Sequence, residues 1–119
     1  MSGGVRIQRV YNAGPKRPGE TRVLVDRIWP RGIRKEALEL DGWFRELAPS
    51  NELRRWFGHE PGRWTEFRTR YRAELARNEE GIEALAALAR RSSLVLLYSA
   101  RDEERNQAVV LGELIGERL

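Results

Sequence analysis

The chain has no cysteine, a single histidine (His59) and a single methionine. Without cysteine there is no disulfide, no thiolate nucleophile, no zinc–thiolate site and no cysteine-ligated iron–sulfur cluster. One histidine leaves no multi-histidine metal site within one chain. Lysine is almost absent too. Lys16 and Lys35 are two of the 22 basic residues, and the remaining 20 are arginines. No apolar run approaches the ~20 residues of a membrane span, and no basic-then-apolar signal segment opens the sequence. The expectation is a cytoplasmic protein that does not associate with membranes.

What is present fits one domain over 1–119. Hydrophobic residues make up 40%, enough for a core. Charged residues make up 34%, against roughly 25% in an average globular domain, so the surface is heavily ionised. The net charge is +4, and acids interleave with the arginines along most of the chain. Arginine offers a planar fork of donors suited to phosphate and carboxylate. The balance therefore permits an anionic partner without requiring one.

Val5–Tyr11 is β-branched and aromatic with partial alternation, which predicts a strand. The segment 12–20 carries two prolines and two glycines and reads as a flexible loop. Thr21–Asp26 contains the unbroken run Val23, Leu24, Val25, the pattern of a strand covered on both faces. Glu36–Ser50 is ambiguous; a short helix followed by a short strand near Trp43–Leu47 fits it. Ser50 is suited to cap a helix over Asn51–Phe57, with Gly58 ending it. Pro61 is placed as the first residue of the next helix. Trp64, Phe67, Tyr71 and Leu75 then form one aromatic stripe, more often core than a base-stacking platform. Ile82, Leu85, Leu88 and Ala89 mark a second amphipathic helix. Ser93–Tyr98 is the strongest strand, and a final helix follows, with Asp102 expected to cap its start. Doubly covered strands interleaved with helices predict an α/β fold: a single layered domain with a small, mostly parallel sheet covered by helices.

In open parallel sheets, ligands sit beyond the carboxyl ends of the strands. Two polar clusters fall there. After the second strand come Asp26, Arg27, Trp29 and Arg31. Arg27 and Arg31 are candidates to grip an anion bidentately, and Asp26 to orient an arginine or act as a base. The competing reading pairs Asp26 with an arginine and packs Trp29 in the core. After the central strand come Asp102 and Asn106, four residues apart. On one helix they would share a face aimed back at the strand ends. His59, in a turn between helices, is a candidate acid or base because imidazole is the side chain most often used for that work. Ser50 is placed at the border of the same site. No Walker loop, no G-x-G-x-x-G and no metal-binding signature is present, and no cofactor is assigned.

Four strings in order, RVLVDRIWPRG (Arg22–Gly32), ELAPSNELRRWFGHEP (Glu46–Pro61), the Trp64–Phe67–Tyr71–Glu74–Leu75 series and LLYSARDEERNQAVVL (Leu96–Leu111), carry a resemblance. Together they resemble the YeaO-like branch of domain-of-unknown-function family 488, over about Val5 to Leu114. The resemblance implies a compact α/β fold and a bacterial cytoplasmic setting. It implies no reaction. In that family a histidine often precedes the asparagine of the last motif; here Arg105 stands there.

The leading expectation is a polar pocket of Asp26, Arg27, Arg31, Asp102 and Asn106. It would bind a small anionic or nucleotide-like ligand, any chemistry being acid/base work by Asp26, Asp102 or His59. Two alternatives stand beside it. One is a nucleic-acid-binding module using the arginine-rich segment 51–77; the other is a protein-partner-binding structural domain.

Overall fold

The computed structural model describes residues 4–119. Four parallel strands form one sheet in the order β1-β4-β2-β3. β1 is Gly4–Arg9, β2 Glu20–Leu24, β3 Gly42–Trp43 and β4 Ser93–Tyr98. Helices α1 (Lys35–Leu38), α2 (Asn51–Phe57), α3 (Trp64–Leu75), α4 (Glu79–Arg91) and α5 (Gln107–Glu117) complete it. The fold is α/β with a parallel sheet, as the sequence predicts.

β4 lies between β1 and β2, pairing with both along its length. That position explains its unbroken apolar run: Leu94, Val95, Leu96 and Leu97 are all fully buried. Successive side chains on a strand point to opposite faces, so the run divides. Leu94, Leu96 and Tyr98 join Val23, Val25 and the apolar stripes of α2 to α5 in a large core. Val95, Leu97 and Leu24 face the other way, into a smaller core with Val10, Leu38, Trp29 and Trp43. Four helices cover the first face. One short helix, α1, and the connecting loops cover the second.

The aromatic stripe of α3 is core. Phe67, Tyr71 and Leu75 are buried, and the Tyr71 hydroxyl donates to the Leu47 carbonyl at 2.5 Å. Ser50 caps α2 as its side-chain oxygen accepts from the Leu53 amide. Gly58 ends α2 in the left-handed region. Pro61 opens a single 3-10 turn, Pro61–Arg63, which runs into α3.

Three local details differ from the sequence reading. β1 stops at Arg9, and Val10–Asn12 is a 3-10 turn. β3 is only two residues long and is followed by a 3-10 turn over Arg45–Leu47. The last helix starts at Gln107, not at Asp102. The segment 12–20 is tied down at several points. The Arg22 guanidinium donates to the Gly14 carbonyl at 2.5 Å, and Lys16 bridges to Asp41 at 2.8 Å.

Among the described residues no helix is long and apolar enough to cross a membrane. None of them gather three or more histidine, aspartate or glutamate side chains in a group able to hold a metal ion.

Candidate functional site: a cavity at the ends of β2 and β4

β2 pairing runs one residue past its formal end, with the Val25 amide donating to the Leu97 carbonyl at 3.0 Å. The next residue, Asp26, therefore emerges at the carboxyl end of the sheet. Next to it, the residues after β4 emerge as Ser99 and Ala100. The amino end of α5 closes over both. This is the crevice where open α/β sheets place ligands. It contains a cavity of about 170 Å³, lined by Asp26, Arg27, Phe57, His59, Ser99 and Gln107 among others.

Asp26 is the unusual member. It is 7% exposed. One carboxyl oxygen, Oδ1, accepts from the Gln107 side-chain amide at 2.5 Å. The other, Oδ2, is buried without a hydrogen-bond partner; the Ser99 amide and hydroxyl favour the carboxylate from nearby without closing a bond to it. No arginine pairs with Asp26. Burial pushes its pKa above the usual carboxylate value, and Ser99 and Gln107 only partly offset this. A buried carboxyl with no cation beside it is costly when ionised, so the neutral acid gains weight.

Arg27 also lines the cavity, and its Nε and Nη2 donate to the wall. Its guanidinium bonds the Ala48 carbonyl at 3.2 Å and the Pro49 carbonyl at 3.1 Å. The side chain fixes the Ala48–Pro49 segment opposite Asp26. Arg54 and His59 stand at the exposed side of the same cavity. His59 has φ of 58°, directly after Gly58 at 52°. Two successive left-handed residues bend the chain sharply after α2, and a non-glycine residue there is uncommon. Phe57 and Phe67 stack with centroids 4.4 Å apart and give the cavity an aromatic side.

Asn106 is buried at the cavity and caps α5. Its side-chain oxygen accepts from the Val109 amide at 3.2 Å, and its amide group donates to the Asp102 carbonyl at 2.9 Å. Asp102 caps no helix and shares no helical face with Asn106. Its Oδ1 accepts from the Glu104 and Arg105 amides at 2.9 and 3.1 Å, closing the bend that precedes α5. The Glu104 amide, first, then the Arg105 side chain and amide hold the Asp102 carboxyl below its usual range. Arg105 pairs with Asp102 at 3.3 Å, and neither residue lines the cavity.

Of the sequence candidates, then, the cavity brings together Asp26, Arg27, His59 and Asn106. It leaves out Arg31, Trp29, Asp102 and Ser50. Arg31 is exposed, and its carbonyl accepts from the Tyr11 hydroxyl at 2.8 Å. The Trp29 indole donates to the Ile33 carbonyl at 2.7 Å and packs edge-on against Trp43. Ser50 binds Glu74 through its amide and hydroxyl, at 2.9 and 2.6 Å, in a separate shallow cleft with Leu53 and Arg70. Sequence reasoning missed Gln107, Ser99, Arg54, Phe57 and Phe67. Placing the start of α5 at Asn106 would have found Gln107, because it puts that side chain beside the strand ends.

The arginines of the 51–77 segment are largely engaged. Arg68 and Arg72 pair with Glu113, at 2.7 and 3.3 Å, and Arg72 also reaches Glu117. Arg70 pairs with Glu66 and stacks over the Trp56 ring.

Fold and site together define a small parallel α/β protein with one polar cavity at the strand ends. Comparison with known proteins narrows that class. Residues 4–119 match the DUF488-N3i family, described as the inactive DUF488-N3 subclade, and the chain belongs to the DUF488 family. It is similar to the uncharacterized protein YeaO of Escherichia coli (strain K12), 44% identical over 109 residues, covering 92% of this chain and 94% of YeaO. It is also similar to the uncharacterized protein Rv3073c of Mycobacterium tuberculosis, 41% identical over 114 residues, 96% and 95% of the two chains. No solved structure matches.

Proposed function

We propose that the protein binds a small anionic or nucleotide-like ligand in the Asp26 cavity and does not transform it. The observation that carries this reading is the buried carboxyl of Asp26, a residue that lines the cavity and whose Oδ2 has no hydrogen-bond partner. A buried polar atom without a partner is uncommon and costs about 1–3 kcal/mol. A ligand group bonding it would recover that cost. Arg54 and His59, at the exposed side, are positioned to meet the negative end of the same ligand.

Binding without turnover fits two further facts. The family is described as an inactive subclade. The acid/base set expected from sequence is split, since Asp102 turns into its own bend while Asp26 and His59 border the cavity. The nucleic-acid reading has less support, because Arg68, Arg70 and Arg72 already pair with glutamates.

The test is an NMR titration of the isotopically labelled protein with nucleotides, sugar phosphates and inorganic phosphate. The expected result is a shift of the Gln107 side-chain amide and the Ser99 and Ala100 amides, lost in Asp26→Ala. Shifts confined to the Arg63–Arg77 surface, or unchanged in Asp26→Ala, would overturn the reading.

A further inference from the structure

β1 forms one edge of the sheet, with β4 on its inner side. Which of its backbone groups stay open follows from the pairing of β4. The Ser93 amide donates to the Gly19 carbonyl, and the Leu97 carbonyl accepts from the Val25 amide, both at 3.0 Å. The amide and carbonyl of one residue point to the same edge of a strand, and the edge alternates from residue to residue. Ser93, Val95 and Leu97 therefore bond towards β2, and Leu94, Leu96 and Tyr98 towards β1. Arg6 and Gln8, opposite Val95 and Leu97, turn their amides and carbonyls to β4. Those of Val5 and Ile7 point outward, and no backbone group among the described residues meets them. The Arg9 amide points the same way, while its carbonyl accepts from the Gln8 side-chain amide at 3.3 Å. β1 is an open edge, the template on which a further strand pairs.

A second copy of β1 fits this edge. Antiparallel pairing about a two-fold axis at Ile7 sets Ile7 opposite itself, and the two copies exchange amide and carbonyl there. The Arg9 amide then faces the Val5 carbonyl of the other copy. On the face away from the large core, Arg6 stands opposite Gln8. These two side chains already bond within the chain, Arg6 Nη1 donating to Gln8 Oε1 at 3.3 Å, so the pair across the axis is complementary. Like charges directly opposite are destabilising, and this register sets none against each other. An axis at Arg9 would set arginine against arginine.

The helix packed on β1 adds an independent observation. Ile7 Cγ2 lies 3.5 Å from where a Cβ on Gly112 of α5 would stand. Val109, Gly112 and Gly116 follow helical spacing and share that face of α5. Leu119, 53% exposed, follows one turn on. Glycine weakens a helix relative to alanine, and nothing among the described residues requires it at either position. Neither glycine has a positive φ. The contact at Gly112 is an ordinary one, and no atom lies within 4 Å of a Cβ at Gly116. A bare helix face beside an open strand edge lets a second backbone approach closely. We infer that the protein forms a two-fold dimer through the β1 edge and the Val109, Gly112 and Gly116 face of α5. The two sheets then run on as one.

The experiment is sedimentation velocity of the intact protein from about 1 to 100 µM, with two variants beside it. The parent should sediment at twice the chain mass at the upper concentrations. Gly116→Arg puts a long charged side chain into open space in the monomer and into the contact in the dimer. It should sediment as a monomer with an unchanged far-UV circular dichroism spectrum. The parent has no cysteine, so Arg6→Cys combined with Gln8→Cys reports the register. Residues opposed at that place have Cα atoms about 4.5 Å apart, within reach of a disulfide. Under mild oxidation the double variant should run as a covalent dimer, and each single variant as a monomer. A parent that is monomeric at every concentration would overturn the inference. So would a dimer that survives Gly116→Arg, or one whose double variant does not cross-link.

Discussion

The Gln107 side-chain amide donates to Asp26 Oδ1 at 2.5 Å across a sequence separation of 81 residues. This bond joins the first residue of α5 to the first residue beyond the β2 pairing, and so ties the two polar strand ends into one cavity wall.

Removing the donor should expose how much that wall depends on it. Gln107→Ala leaves both Asp26 oxygens buried without a partner. The expected cost is about 1–3 kcal/mol, read as a lower urea midpoint at unchanged slope. An unchanged midpoint at neutral pH would show that water replaces the amide at no cost.

Stability should depend on pH through Asp26 in the direction opposite to an ordinary ion-paired carboxylate. Burial, opposed by Ser99 and Gln107, raises its folded pKa above 3.8. Its neutral form is therefore favoured by folding. That contribution is fully present below the unfolded value and is lost as pH rises through the folded value. Asp26→Asn has no charge to bury. Its melting temperature relative to the parent should be level below about pH 3.8 and should rise through the Asp26 titration. Glu20 works in the other direction. The Arg6 hydrogen bond holds its pKa below 4.5, so both proteins should lose that contribution together as the solution is acidified. A melting-temperature difference that is flat across the pH range would contradict the burial of Asp26.

Tyr71 anchors α3 to the segment that forms the opposite cavity wall. Its hydroxyl is buried and donates to the Leu47 carbonyl. Tyr71→Phe keeps the ring and orphans the carbonyl, at an expected cost of about 1–3 kcal/mol. Chemical denaturation reads this directly.

How much of this was legible in the sequence depends on where each residue finds its partner. Leu94 to Leu97 announced a central strand because their burial follows from apolar character alone. Ser50 and Gly58 announced the ends of α2 because capping is local. The sequence suggested a short strand near Trp43–Leu47 but not its bounds at Gly42 and Trp43, since two residues pairing with Val23 and Leu24 leave no periodicity. Arg22 is 3% exposed in β2, which no pattern suggests. Its guanidinium is satisfied by the Leu38 and Gly14 carbonyls, which the folded loops bring to it. The position of Asp26 beside the strand ends was legible from its place after a strand. Arg27 was legible in position, but its bonds to Ala48 and Pro49 were not, because those carbonyls come from a distant segment. Asp102 misled because an aspartate caps a bend and a helix in the same way, with its carboxylate on amides two and three residues on.

One glycine makes a prediction against helix propensity. Gly81 lies inside α4, where alanine is ordinarily favoured by up to about 1 kcal/mol. A Cβ there would meet Leu47 Cδ2 at 2.7 Å and the Asn78 side chain, which caps α4, at 3.1 Å. Gly81→Ala should therefore destabilise the protein, by about 1–3 kcal/mol from overpacking, as read by thermal or urea denaturation. A stabilised variant would mean that Leu47 moves aside freely.

The measurement closest to the centre of this account is the titration of the Asp26 side-chain carboxyl, followed by carbon NMR in the free protein. The account predicts a midpoint above 3.8, rising further in Gln107→Ala, which removes a hydrogen bond that favours the ionised form. A midpoint at or below 3.8 would mean that Asp26 is an ordinary paired or solvated carboxylate. Its carboxyl would then not be a buried group short of partners, and the ligand reading built on Asp26 would fall.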